Sequence, residues 1–141
     1  MPARSATSAV ATTKPLDEKI TINVGYVDLG QIDLLVQEGF YANRTDMIRT
    51  AIRHQLASHA NEVKQAVARK TLVLGIQHFS AADLRAVRKA KQMLNVRVLG
   101  LASIAPDVTP ELALSTIGSI VVLGALHASP AVKAALADRM R

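Results

Sequence analysis

Cysteine is missing from these 141 residues, so the chain has no disulfide framework and no thiolate metal site. Tryptophan is missing too, and aromatic residues make up only 3% of the sequence. That argues against recognition of RNA or single strands by stacking bases on aromatic rings. No Ser-His-Asp set, carboxylate pair, phosphate loop or metal motif is evident, which argues against an enzyme and against a bound cofactor or metal. The four histidines, His54, His59, His78 and His127, do not cluster in sequence. The first sixteen residues place Arg4 and Lys14 among Ala, Ser and Thr, with no apolar run of signal-peptide length. They read as a flexible basic arm. Residues 112–132 carry no formal charge, and that length meets a crude membrane-span criterion. Gly118, Gly124, His127, Pro130 and several serines within the run favour a repeat of strands and helices instead, and no membrane partner is expected.

What the chain does have is positive charge and one patterned segment. Its net charge is +6, which favours an anionic partner without proving one. Residues 19–56 read KITINVGYVDLGQIDLLVQEGFYANRTDMIRTAIRHQL. Ile20, Ile22 and Val24 alternate with Lys19, Thr21 and Asn23, as in a strand with one apolar and one polar face. Asp28 is a candidate N-cap, with Gln31 three residues on, as in a capping box. Leu29, Ile32, Leu35 and Val36 then recur at helical spacing. Gly39 stands where a left-handed residue ends a helix, and Phe40 follows it. Asn43 is a candidate cap for a second helix with Asp46 in its first turn. Ile48, Ala51, Ile52 and Leu56 supply that helix's apolar stripe, and Arg49 and Arg53 its polar side.

So small a unit cannot bury its stripes alone, and a lone strand leaves its backbone groups unpaired. The simplest closure is a homodimer in which two copies of residues 19–24 pair antiparallel. Lys19, Thr21 and Asn23 would then face outward from a two-stranded ribbon of a size that fits the major groove of DNA. Lysine can donate to guanine, asparagine can pair bidentately with adenine, and threonine offers a hydroxyl and a methyl. The N-terminus of the second helix presents free N–H groups to a phosphate.

The string LLVQEGFYANRTDMIRTAIR, behind its short strand, resembles the ribbon-helix-helix superfamily of DNA-binding proteins, of the Arc and MetJ type. The resemblance covers about 40 residues, short of a domain of ordinary size. Many members follow the strand with Leu-Pro, where this chain has Gly25-Tyr26 and an early Gly30. By matching position, the resemblance implies base reading by Lys19, Thr21 and Asn23. It implies phosphate holding by Asn43, Arg44 and Thr45, which positions the ribbon without reading sequence. Some members carry a nickel-sensing C-terminal domain built on His and Cys; without cysteine or clustered histidines, that metal function is not carried over.

The second half looks internally repetitive. LVLGIQHFSA, VRVLGLASIAP and IVVLGALHASP each hold an apolar strand ending in Leu-Gly, with the glycines at Gly75, Gly100 and Gly124. A helix signal follows each: Ser80 with Asp83, Thr109-Pro110 and Ser129-Pro130. Strand then helix, three times, predicts βα units with parallel strands, and near-continuous apolar strands predict a sheet covered on both faces. The period is that of a short βα solenoid. His78, Ser103 and His127 share one position in the three copies. They could bind a small anion near the strand ends or serve as ordinary loop-edge residues. Arg85, Arg88, Lys89 and Lys91 form a basic helix face, open to flanking DNA or simply to solvent.

The expected fold class is therefore α+β. A flexible basic arm spans residues 1–16 and an intertwined-dimer ribbon-helix-helix domain residues 17–60. A helical linker spans 61–70. A solenoid-like βα-repeat domain follows over 71–141, for oligomerisation, partner docking or plain stabilisation. The expected function is a sequence-specific regulator of transcription, a repressor, with double-stranded DNA and a second copy of itself as partners. Its expected setting is the cytoplasm of a prokaryote, phage or plasmid, against the nucleoid. The alternatives are a plasmid-partition or nucleoprotein-assembly protein, or the antitoxin of a toxin-antitoxin pair.

Overall fold

A computed structural model describes residues 16–141, so the expected basic arm falls outside the described residues except for Leu16. Three helices come first: α1 (Tyr26–Gln37), α2 (Arg44–Ser58) and α3 (Ala60–Arg69). Strands and helices then alternate as β1 (Val73–Phe79), α4 (Ala81–Lys89), β2 (Leu94–Ile104), α5 (Pro110–Thr116), β3 (Ile117–His127) and α6 (Pro130–Leu136). A 3-10 turn at Ala137–Arg139 closes the chain. Among the described residues no helix is long and apolar enough to cross a membrane. The uncharged run at 112–132 divides among α5, β3 and the start of α6.

The three strands form one parallel sheet in the order β1-β2-β3. Gly75, Gly100 and Gly124 lie side by side in register, as do His78, Ser103 and His127. Backbone conformation requires all three glycines, and close approach adds a second reason at Gly100 and Gly124. All three have positive φ, and a Cβ on Gly100 would run into the Gly75 carbonyl oxygen, as one on Gly124 would into that of Gly100. At Gly100 and Gly124 only glycine accepts both constraints at little steric cost.

Each helix of this half starts where its cap stands. The Ser80 hydroxyl accepts from the Asp83 N–H, and the Asp83 carboxylate accepts from the Ser80 N–H. Those bonds, the backbone N–H first, hold the Asp83 carboxyl below its usual range. Thr109 and Ser129 cap α5 and α6, with Pro110 and Pro130 at their first turns. The helices lay Leu84, Leu112, Val132 and Leu136 onto Val96, Val98, Ile104, Ile117 and Ile120 of the sheet. Thr116 is buried among them, its hydroxyl donating to the Leu112 carbonyl at 2.7 Å.

The expectation that both sheet faces would be covered is corrected here. One face packs on helices; the other keeps Leu74 71% and Ile76 62% exposed. The strand order explains this. The sheet grows in one direction, so crossovers of a single hand place every connecting helix on the same side.

The first half behaves differently. No residue of α1, α2 or α3 is buried. The first helix also starts earlier than its acid suggested: Gly25 is its N-cap, without a side-chain bond, and Asp28 sits in the first turn. There its carboxylate favours the positive end of the helix dipole rather than capping it. The stop matches the expectation. Gly39 has φ +87°. Its N–H donates to the Val36 carbonyl, and the Phe40 N–H reaches back to Leu35, the paired bonds of a Schellman end.

Candidate nucleic-acid interface

Residues 19–24 precede α1 without any secondary structure or strand partner. They are exposed along their whole length. Ile20, at 74% exposure, and Ile22, at 67%, are open to solvent, as Lys19, Thr21 and Asn23 are. Lys19, Thr21 and Asn23 are free in that segment and reach no partner among the described residues. A segment of alternating apolar residues with no strand beside it leaves its backbone groups and its apolar side chains open to a partner.

At the start of α2, Asn43 is extended and its side-chain oxygen accepts from the Asp46 N–H at 2.8 Å. The Asp46 carboxylate in turn accepts from the Ala42 N–H at 2.9 Å. The turn between the helices is therefore fixed at both ends, by Gly39 and by this cap. The N–H groups of Arg44 and Thr45, first in the helix, have no acceptor among the described residues. They are the orphan donors that a helix N-terminus offers to an anion.

Arg44 itself is engaged. Its Nε and Nη2 donate to the two oxygens of Asp33, at 2.7 and 2.8 Å. The guanidinium holds the Asp33 carboxyl below its usual range, chiefly through those hydrogen bonds, and Asp33 raises Arg44 in return. Both side chains stay about half exposed, so this fork is a screened surface pair that ties α1 to α2. Asp33 is the residue that sequence reading missed. It stands eleven positions before its partner on another helix, where no periodicity links the two.

The residues of the second half come together as their register implied. His78 Nδ1 lies 3.2 Å from Ser103 Oγ, and His127 follows on the next strand. They edge an open cleft of about 550 Å³ lined mainly by apolar side chains. No group of three or more potential metal ligands is present among the described residues.

An exposed segment of alternating sequence, a helix, a glycine turn and an Asn-capped second helix follow one another in the order of a ribbon-helix-helix unit. The model of the ribbon-helix-helix transcriptional regulator family matches residues 15–133, and the chain belongs to that family. The match runs well beyond the segment of about 40 residues that carries the motif and takes in the parallel sheet. No curated protein and no solved structure shows a significant match to the chain.

Proposed function

We propose that this protein is a sequence-specific DNA-binding regulator that acts as a homodimer, most simply as a repressor. Two copies of residues 19–24 pair antiparallel and enter the major groove. Lys19, Thr21 and Asn23 read bases, while the N–H groups at Arg44 and Thr45 hold a phosphate, with Asn43 setting the helix start. The observation that carries this reading is the unpaired segment itself. Its apolar residues lie open directly before α1 and the capped α2, in a chain of a transcriptional-regulator family. Members of that family bind DNA as dimers.

Arg44 has a double part in this proposal. In the free protein it is held by Asp33; beside DNA its guanidinium can share itself between carboxylate and phosphate, since both accept its fork.

Selection of bound fragments from genomic DNA by the purified protein tests the reading. One palindromic site beside its own gene is the expected result; an iterated array would favour partition or nucleoprotein assembly. On the selected site, Asn23→Ala should lower affinity by about 1–3 kcal/mol and relax preference at one base pair. Unchanged binding by Lys19→Ala, Thr21→Ala and Asn23→Ala alike would remove the ribbon from the account.

A further inference from the structure

We propose that the uncovered face of the parallel sheet is buried against the same face of the second copy within the dimer. Because strands pair in register, the face carries rows: Leu74, Leu99 and Leu123, then Ile76, Leu101 and Ala125. No charged side chain stands in either row. The next row, His78, Ser103 and His127, gives the face a polar border, as an interface has.

The size of the face selects its occupant. Seven registered positions on three strands at ordinary rise and spacing make a footprint of about 300–350 Å². Even doubled for side-chain relief, this falls short of the roughly 800 Å² per partner of an independently stable complex. A free partner would bind weakly. A partner already tethered would meet the face at an effective concentration in the millimolar range, where a small apolar surface is enough. Pairing of the ribbons provides that tether, because α3 joins each sheet to its own ribbon-helix-helix unit. The chain's own leading segment does not do the work: Leu16 and Ile20 lie beside the face, yet they remain 72% and 74% exposed. Face-to-face packing of two sheets about 10 Å apart is an ordinary arrangement, and like faces meeting about a two-fold axis need no second surface.

The inference rests on the dimeric reading above, and the test separates the two. The chain has no cysteine, so Leu101→Cys places a single thiol on the central strand of the face. A bismaleimide of about 10 Å span, matched to the sheet separation, should convert the full-length variant to a covalent dimer. Lys89→Cys, on the exposed side of α4, should give none. Adding Leu74→Arg, at a position already open in the single chain, should abolish the cross-link and leave the circular dichroism spectrum unchanged. A thiol that reacts with a simple maleimide but does not cross-link would show an open face. A thiol that stays blocked in the Leu74→Arg variant as well, where the counterpart is displaced, would show the face covered by something other than its counterpart. Either result overturns the proposal. Sedimentation of the same variant distinguishes the failures: dimer mass without cross-linking rejects the sheet contact alone, whereas monomer mass rejects the ribbon dimer as well.

Discussion

Every buried side chain of the described residues lies after α3, in the sheet, its helices and their connections, while residues 16–70 bury none. Yet the first half is the one with the longer helices. Helix formation and core formation are thus separated along this chain. α4, α5 and α6 are short helices that close on a sheet within the same chain. α1 and α2 are longer helices whose apolar stripes stay half-buried or exposed in one copy. Short helices gain most of their stability from packing, so the second half is complete in one copy, apart from its open face. The first half has no such closure in one copy. The difference places the buried core in the C-terminal region and leaves the N-terminal one without a core of its own in a single copy.

The comparison can be broken most severely at the glycine row. Gly100→Ala combines a clash with the Gly75 backbone and a φ of +140°. It should destabilise the second half by about 3–5 kcal/mol in thermal or urea unfolding. Gly75→Ala has the φ penalty but open space for its Cβ, and should cost about 1–3 kcal/mol. Equal effects would mean that close approach is not what selects glycine.

Next comes the apolar side of the ribbon. Ile22 is 67% exposed in one copy, so Ile22→Ala should cost nothing if the chain works alone. In a paired dimer it should cost about 2–5 kcal/mol per buried side chain, seen as an unfolding midpoint that depends more steeply on protein concentration.

A smaller effect lies at the fork between α1 and α2. Asp33→Asn frees Arg44, so binding to DNA of any sequence should strengthen and its salt dependence should steepen by up to one phosphate contact. The same pair sets a pH response. The folded Asp33 carboxyl lies below its ordinary value of 3.8, so its contribution is present above that value. It is lost as pH falls through the depressed folded one. The wild-type protein should therefore lose this small contribution only in acid, and Asp33→Asn should flatten that limb. Smallest of all is Gly30→Ala. Nothing lies within 4 Å of a Cβ there, and the site is inside α1. A gain of up to about 1 kcal/mol is expected; a loss would place Gly30 under the partner chain.

Local signals in this sequence were readable, and signals between elements were not. Ser80 with Asp83, Thr109-Pro110, Ser129-Pro130 and Gly39 each act on their own helix end, so residue type and spacing suffice to locate them. The spacing of Gly75, Gly100 and Gly124 gave the strand register because each copy of the repeat carries the same strand. Asp28 misled for a local reason: an acid favours both the cap and the first turn, and Gly25 took the cap. The bare sheet face was hidden because apolar strands look alike whether a helix or another chain covers them. Asp33 was hidden because its partner lies on another helix. Of the candidate site, the cap at Asn43 was legible; the restraint on Arg44 was not, and the alternation of residues 19–24 does not by itself form a strand in one copy.

The central claim is that residues 19–24 form a strand only with a second copy. Segment-resolved hydrogen exchange of the full-length protein, without DNA, tests it most directly. Pairing predicts slow exchange for amides in residues 19–24 at micromolar concentration, lost on dilution while the amides of β2 stay protected. Exchange of residues 19–24 at the unprotected rate at every concentration would contradict it.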